Sequence, residues 1–265
     1  MLNITNASKT FLKGTPNEYM ALKHLNLTLD DGDFVTMVGS NGAGKSTLFN
    51  AICGNFWLDE GKLLLDNMDI TFLPEHKRAA HIGRLFQDPM KGTSPSLTIE
   101  ENLALSYSRS HRGLLNFAIN KKDSARFREA LASFGMGLED RMKTKVGLLS
   151  GGQRQVVTLL MCTIVPPKLL LLDEHTAALD PATATKVMDI TNRIVSEHHL
   201  TTMMITHNMV SALETGNRII MMDAGNMILD IKGEEKAKMT VPELLELYST
   251  KSKKIFDNDR MLLAE

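Results

Sequence analysis

A glycine-rich stretch carries the clearest chemical signal in this chain. It fits the pattern G-x-x-x-x-G-K-[ST], whose backbone N–H groups cradle phosphates at the start of a helix. We expect Lys45 to reach the β- and γ-phosphates of a nucleotide, and the Ser46 hydroxyl to bind Mg²⁺. The phosphate loop is therefore predicted to consist of Gly39, Ser40, Asn41, Gly42, Ala43, Gly44, Lys45, Ser46 and Thr47.

Two carboxylates close a run of leucines further along the chain. Leu169–Leu172 is followed directly by Asp173 and Glu174. A continuous apolar run of this length is typical of a parallel strand buried on both faces, and ligand groups in such sheets lie at the carboxyl ends of strands. We expect Asp173 to hold Mg²⁺, and Glu174 to orient and activate a water molecule.

Two further side chains have both a functional and an ordinary interpretation. Phe11 ends an alternating segment and could stack on an adenine ring, or simply pack within its strand. His207 follows the β-rich run 201–206 and could contact a γ-phosphate, or serve only the structure. The presence of a phosphate loop in the same chain favours the functional interpretation of both.

A second motif has the character of an anion site. In Leu149–Gln153 the Ser150 hydroxyl and the N–H groups of two glycines stand at a predicted helix N-terminus, which favours negative charge. One chain has no obvious need of two phosphate cradles. Two chains arranged head to tail do, because each could close this motif over the nucleotide held by the other. The residues assigned to it are Ser150, Gly151, Gly152 and Gln153.

The flanking patterns supply the elements that must position these residues. Strand, glycine loop and helix follow one another around the phosphate loop, with β-rich 34–38 before it and helical 48–52 after it. The alternating segments 2–11 and 25–29 predict an antiparallel β layer ahead of it. The remaining predictions are a strand and turn at 61–67, a strand at 82–89 that ends at a proline, a mostly helical block at 98–136, a hairpin at 218–230 and a helix at 241–248. Thr98 and Glu101 are expected to form a capping box at the start of the helical block.

Composition limits the possible partners. The chain has 265 residues, 43% of them hydrophobic, and a formal charge of −1 from 30 basic and 31 acidic residues. No global field draws it to nucleic acid or to a membrane surface. The longest apolar stretch, 156–172, is interrupted by Pro166, Pro167 and Lys168, so we expect a soluble protein. No signal peptide is expected, because the N-terminus from Met1 to Thr5 has no basic region followed by an apolar core. Its cysteines, Cys53 and Cys162, are expected to be buried free thiols.

These motifs occur in the order that is typical of the ATP-binding subunits of ABC transporters, and residues 2–248 resemble that family. The phosphate loop, the signature Leu149–Gln153 and the acidic strand end are joined in the resemblance by Gln87 of the Q-loop, Asp180 of the D-loop and the switch His207. One departure is visible, since His175 stands where the family usually has proline. We expect it to alter the turn slightly without touching the chemistry.

The resemblance implies an α/β fold of the P-loop NTPase type, with a mixed sheet core, an N-terminal antiparallel layer and an inserted helical subdomain. The ATPase domain would span residues 1–248, the helical subdomain about 88–148, and a peripheral tail 249–265. It further implies that Gln87 binds the metal and reports on the nucleotide, and that Asp180 belongs to the nucleotide site. Lys45, Gln87, Glu174 and His207 would be the catalytic residues, with ATP and Mg²⁺ bound between two copies.

The partners follow from the same resemblance. They are a second copy of the chain, a transmembrane permease docked near Gln87 and the helical subdomain, and an extracytoplasmic substrate-binding protein, with no nucleic acid. The chain would then lie at the cytoplasmic face of the membrane. The stretches Asp173–Asp180, Thr206–Met209 and Gly225–Asp230 resemble a bacterial group proposed to import tryptophan or tyrosine.

Other function classes stay open at this point. A soluble ABC ATPase of an assembly system, such as iron–sulfur cluster building, would have a soluble partner, and an ABC exporter would share the chain's organisation. A nucleic-acid ABC protein usually carries tandem ATPase domains or long insertions, and the near-neutral charge also argues against it. A P-loop kinase or small GTPase does not explain the signature Leu149–Gln153.

Overall fold

The computed structural model describes residues 1–108 and 120–252 and divides into two compact units. The first takes in residues 1–82 and the described residues from Leu200 onwards, and the second the described residues of 83–199. The strands are β1 (Leu2–Phe11), β2 (Tyr19–Leu29), β3 (Phe34–Gly39), β4 (Glu60–Leu65), β5 (Met68–Asp69), β6 (Ile82–Leu85), β7 (Leu169–Asp173), β8 (Thr202–Ile205), β9 (Arg218–Asp223) and β10 (Asn226–Lys232). The helices are α1 (Lys45–Cys53), α2 (Glu75–Arg78), α3 (Ile99–Ser108), α4 (Lys121–Ala132), α5 (Gly151–Thr163), α6 (Pro181–Glu197), α7 (Met209–Glu214), α8 (Glu234–Lys238) and α9 (Val241–Ser252), with short 3₁₀ turns at Pro89–Gly92 and Val146–Leu148.

The first unit contains the predicted antiparallel layer. Its strands run in the order β2-β1-β4-β5, and β1 pairs with both long neighbours, for example Leu2 with Leu29 on one side and with Leu65 on the other. Buried and exposed positions alternate from Leu25 to Leu29 of β2, which is the pattern of a sheet solvated on one face, whereas in β1 the alternation is interrupted at Thr5 and Asn6, where the register shifts. Strand β2 begins at Tyr19, earlier than the predicted 25, because pairing with β1 holds this segment extended.

A mixed sheet forms the core around the phosphate loop. Strand β3 lies between β8 and β9, is parallel to both, and is buried along its whole length. Strand β10 then pairs antiparallel with β9 through the predicted hairpin. Helices α7 and α9 cover this region with an apolar cluster rich in methionine and aliphatic side chains. The members of that cluster are Val38, Met209, Ala212, Ile219, Met221, Leu229, Ile231, Leu244 and Tyr248.

The second unit holds the buried strand β7 and helices α3 to α6. Helix α5 is buried from Gln155 to Thr163, so the adjoining elements surround it on all sides. Asn102, which is fully buried, organises the turn before α3 by donating to the Ser94, Leu97 and Thr98 carbonyls while accepting from the Ser94 N–H. The predicted helical block is therefore two helices among the described residues, and residues 109–119 of that block lie outside them.

Most predicted elements are present with shifted ends. The capping box at Thr98 is confirmed, since its hydroxyl and backbone exchange hydrogen bonds with Glu101. Helix α9 continues to Ser252, so the described part of the predicted tail 249–265 is helical, and 253–265 lies outside the described residues. Cys53 and Cys162 are buried and form no disulfide, as expected.

Candidate functional site: the phosphate loop and acidic strand end

The phosphate loop lies between β3 and α1, as the sequence predicts. Lys45 is the first residue of α1, and its side chain is only 6% exposed. Its ammonium group donates to the Gly39 carbonyl at 2.6 Å and to the Ser40 carbonyl at 3.0 Å, so the side chain curls over its own loop. The Ser40 hydroxyl donates in turn to Asp223 at 3.4 Å. The loop thus presents one ammonium group at a fixed position.

Gly44 shapes the start of α1. It is the N-cap residue, with φ +102°, and no side chain caps the helix there. A Cβ atom at this position would lie 2.5 Å from the Ala21 carbonyl oxygen, which leaves room for glycine only. The first N–H groups of a helix have no partners within it, and they carry the positive end of its dipole. The geometry of α1 therefore suits an anion.

The other loop residues differ in exposure. Asn41, Gly42 and Ser46 are exposed and Thr47 is partly buried, whereas Ala43 is buried and its carbonyl accepts from the Gly225 N–H at 3.0 Å. The exposed hydroxyl of Ser46 is the atom predicted to bind a metal ion. The loop is therefore hydrogen-bonded to the rest of the first unit at Ala43 and exposed to solvent at Ser46.

Phe11 belongs to an aromatic cluster at the end of β1. Its ring stacks on Tyr19 at 5.5 Å between centroids and meets the edge of Phe56 at 5.3 Å, with the Lys9 ammonium 5.6 Å from its centroid. Sequence reasoning missed Tyr19, which is 53% exposed and pairs with Phe11 across the strands. The alternating pattern gave no sign of this cross-strand pair, because Tyr19 lies outside the predicted segment 25–29. Adenine stacking on Phe11 stays a prediction.

His207 follows β8 in the first unit, at the predicted strand terminus. Strand β8 ends at Ile205, and the Thr206 hydroxyl accepts from the Asn208 N–H at 3.1 Å. Asn208 then caps α7 by accepting from the Ser211 N–H at 2.9 Å. These local hydrogen bonds fix the backbone on both sides of His207.

In the second unit, the signature motif begins α5. Ser150 is the N-cap, and its hydroxyl accepts from the Gln153 N–H at 3.3 Å while the Gln153 side chain accepts from the Ser150 N–H at the same distance. This capping box leaves the hydroxyl proton of Ser150 available as a donor. Gly151 is exposed and Gly152 is buried.

Gly152 has a second reason to be glycine. A Cβ atom there would lie 2.1 Å from the methyl group of Thr183 in α6. The close approach of α5 and α6 thus requires the absence of a side chain, in addition to any role of the N–H group. Asp180 caps α6 in the same region by accepting from the Thr183 N–H at 3.0 Å, and hydrogen bonds from Thr183 lower the pKa of the Asp180 carboxyl.

The acidic strand end brings together three predicted residues. Gln87 donates from Nε2 to the Glu174 carboxylate at 3.3 Å, and Asp173, the last residue of β7, precedes Glu174. Asp173 also forms an ion pair with Arg84 of β6, at 3.0 Å between Nη2 and Oδ2. Sequence reasoning missed Arg84, and no local signal marks it, because its partner lies far along the chain.

His175 lies directly after this cluster and is 3% exposed. Its Nε2 lies 3.2 Å from the Thr191 hydroxyl oxygen on α6, and burial lowers the pKa of the imidazole to about 4. The ring is therefore neutral at physiological pH. The sequence predicted only a slightly altered turn here, and gave no sign of this buried hydrogen bond.

These features define the class of the protein as a P-loop nucleotide-binding protein, and comparison with known proteins gives the family. The ABC transporter family model matches residues 22–177. The chain is 43% identical over 250 residues to a tyrosine transport ATP-binding protein of Clostridioides difficile, covering 94% of this chain and 98% of that protein. It is 34% identical over 212 residues to the lipoprotein-releasing system ATP-binding protein LolD of a Ruegeria species, covering 78% and 89% of the two chains.

Solved structures agree with the fold. The ATP-binding cassette MJ0796, in a dimeric post-hydrolysis state with ADP and Pi, superposes with a TM-score of 0.75 at 31% identity, over 88% of this chain and 98% of that chain. This chain therefore belongs to the ABC transporter family and is an ATP-hydrolysing ATP-binding cassette. Within the part of the chain that the structure describes, every helix is too short or too polar to cross a membrane.

Proposed function

We propose that this protein is the ATP-hydrolysing subunit of an importer that carries an amino acid, of the aromatic class, through a separate membrane subunit. The observation that supports this most strongly is the 43% identity to a tyrosine transport ATP-binding protein, over nearly the whole of both chains. The relative from a lipoprotein-releasing system is less similar, at 34% identity, and favours export as the second candidate. Through its permease, the protein would lie at the cytoplasmic face of the membrane.

The proposed chemistry is in-line attack of water on the γ-phosphorus of ATP. The Glu174 carboxylate orients the water and takes its proton, while the bond from phosphorus to the leaving oxygen of ADP breaks. Lys45, Ser150, Gly152 and His207 donate hydrogen bonds or positive charge to the phosphoryl oxygens, which stabilises the transferring group. The hydrogen bond from Gln87 to Glu174 orients the carboxylate.

The predicted metal ligands fit Mg²⁺ by their chemistry. Ser46, Gln87 and Asp173 would supply a hydroxyl, an amide oxygen and a carboxylate, which are the hard oxygen donors that Mg²⁺ prefers. Arg84 donates a hydrogen bond to Oδ2 of Asp173 at 3.0 Å, which orients this carboxylate. When bound, the ion would neutralise charge on the β- and γ-phosphates.

The dimer and the partners follow from the two anion motifs. We propose that ATP, held by the loop from Gly39 to Thr47 and by Phe11, joins two copies head to tail, with the second copy's Ser150, Gly151, Gly152 and Gln153 on the γ-phosphate and Asp180 nearby. Loss of the γ-phosphate removes these contacts and loosens the dimer. Gln87 and a helical subdomain of about residues 88–148 would transmit this change to the permease, which receives its cargo from an extracytoplasmic binding protein.

Affinity capture of the tagged protein from gently solubilised cells of its own source tests the assignment. Recovery of a multi-spanning membrane protein together with a substrate-binding protein that binds tyrosine or tryptophan is the expected result. A membrane partner without any binding protein would favour the exporter. Recovery of soluble partners alone would contradict a transport role and would favour a soluble ABC ATPase of an assembly system.

The first prediction concerns Glu174→Gln. We expect the variant to bind ATP and to accumulate as a dimer, while its turnover falls by about a hundredfold or more, because the amide cannot accept the proton of water. ATPase rate and size-exclusion chromatography with ATP measure both effects. Glu197→Gln, an exposed change at the end of α6, is the matched control and should leave both unchanged. Near-normal turnover of Glu174→Gln would remove Glu174 from its role.

A further inference from the structure

Glu174 has an unfavourable backbone conformation. Its φ is +47°, in the left-handed region that residues other than glycine rarely adopt. Such a conformation persists only where the neighbouring residues hold it. On its N-terminal side, Asp173 ends the buried strand β7 and pairs with Arg84. The side that follows Glu174 needs an anchor as well.

His175, which follows Glu174, is held in place differently from the proline that is usual at this position. Proline, the residue usual in the family at this position, fixes its own φ through its ring, whereas the backbone of histidine has no such restriction. His175 is instead held by its side chain, which is buried and lies 3.2 Å from the Thr191 hydroxyl oxygen. Thr191 lies within α6 and is fully buried, so it is a rigid point of attachment.

The hydrogen-bond pattern assigns the proton in this contact. The Thr191 hydroxyl donates to the Val187 carbonyl at 2.8 Å, which uses its one proton. Its oxygen can then only accept, so Nε2 of His175 carries the hydrogen and donates it to Thr191. The imidazole is therefore in the Nε2–H tautomer, and its orientation is set by α6.

We propose that His175 is a positioning residue, which holds the backbone of Glu174 in its catalytic conformation by donating a hydrogen bond from Nε2 to Thr191. The inference rests on the proposed role of Glu174. His175 itself does not touch the nucleotide. Its side-chain hydrogen bond to α6 restrains the backbone, as the ring of a proline would.

Variants at both ends of the hydrogen bond test the inference in the full chain. Thr191→Val and His175→Leu each remove the bond, and each should lower kcat about tenfold while leaving the KM for ATP unchanged, because small displacements of a catalytic group act on the chemical step. Thr191→Ser keeps the acceptor, and His175→Gln keeps a donor on a side chain of similar reach. Both conservative variants should retain kcat within about twofold of the unmodified protein.

The double variant His175→Leu/Thr191→Val separates positioning from stability. Thr191→Val alone leaves a buried N–H without a partner and should lower the melting temperature, whereas the double variant removes both polar groups and should recover most of it. We expect kcat of the double variant to remain low despite this recovery. If kcat rose together with the melting temperature, the bond would be merely structural and the inference would be overturned.

Measurements on the Glu174→Gln variant distinguish this inference from the proposed function. In a Glu174→Gln chain, His175→Leu should leave the small residual rate unchanged, because positioning acts only through the carboxylate. A further fall in that background would overturn the inference. If Glu174→Gln abolished turnover but the single variants at 175 and 191 matched the unmodified kcat, positioning by His175 would be wrong and the role of Glu174 would stand.

Discussion

At the scale of single residues, the site depends on backbone conformations that few side chains permit. Gly44 gives α1 its start, and Glu174 adopts a left-handed φ directly after β7. Lys45 is held by the carbonyls of its own loop, so its ammonium group is placed by the backbone that Gly44 shapes. The backbone conformation at Gly44 and Glu174 therefore helps to determine where the ammonium group of Lys45 and the carboxylate of Glu174 lie.

Gly44→Ala tests the steric requirement of the loop. The new Cβ would lie 2.5 Å from the Ala21 carbonyl oxygen in addition to the strain of a positive φ. We expect a loss of about 3 kcal/mol or more in the free energy of unfolding, measured by urea denaturation without nucleotide.

Gly14→Ala is the matched control for this prediction. Its φ is +75°, but a Cβ there would meet nothing within 4 Å, so it carries the strain without the clash. We expect it to lose only about 1 kcal/mol. Equal losses for the two variants would show that the contact with Ala21 is unimportant.

At the scale of elements, α1 is stabilised at its far end by a buried arginine. Arg78 is 1% exposed, and its guanidinium donates to the Ala51 and Ile52 carbonyls in the last turn of α1 at 2.7 and 2.9 Å. It also donates to the Leu73 and Thr71 carbonyls. The last carbonyls of a helix lack partners within it and carry the negative end of its dipole, so a cation is favourable there. Burial lowers the pKa of Arg78, but these bonds compensate the charge.

Arg78→Met should lower the free energy of unfolding by about 3 kcal/mol, since it leaves buried carbonyls without donors. Chemical denaturation of the purified chain measures the loss. Lys77→Met, at the exposed neighbouring position, is the control and should change stability by less than about 0.5 kcal/mol. A loss at Arg78 as small as that of the control would mean that water replaces the arginine.

At the scale of the whole molecule, the two anion motifs predict that neither copy is complete alone. The phosphate loop belongs to the first unit and the signature to the second. A head-to-tail dimer would combine the loop of one copy with Ser150 of the other. The similar cassette MJ0796 was solved as a dimer.

Mixing two inactive variants tests the shared site. Lys45→Ala and Ser150→Arg should each abolish ATPase activity, but a mixed dimer regains one intact site. With random pairing, the mixture should reach about a quarter of the unmodified rate. The double variant Lys45→Ala/Ser150→Arg mixed with Lys45→Ala contains no intact site and should stay inactive. If the first mixture hydrolysed ATP no faster than either variant alone, each copy would act by itself.

The sequence by itself determined the phosphate loop, the leucine strand, the capping box at Thr98 and the order of the motifs. These signals are local, because side-chain spacing, glycine and cap residues act within a few positions of one another. The same is true of the alternating strands β1 and β2, whose pattern predicted the antiparallel layer before its register was known.

Only the tertiary structure decided which side chains meet across the chain. The ion pair of Arg84 with Asp173 joins residues 89 positions apart, the stack of Phe11 on Tyr19 needs the register of two strands, and the bond of His175 to Thr191 needs β7 and α6 packed together. No periodicity encodes such pairs, since their distances follow from chain folding and not from spacing. The sequence named the groups that we propose do the chemistry, and the packing of distant segments set the partners that hold them.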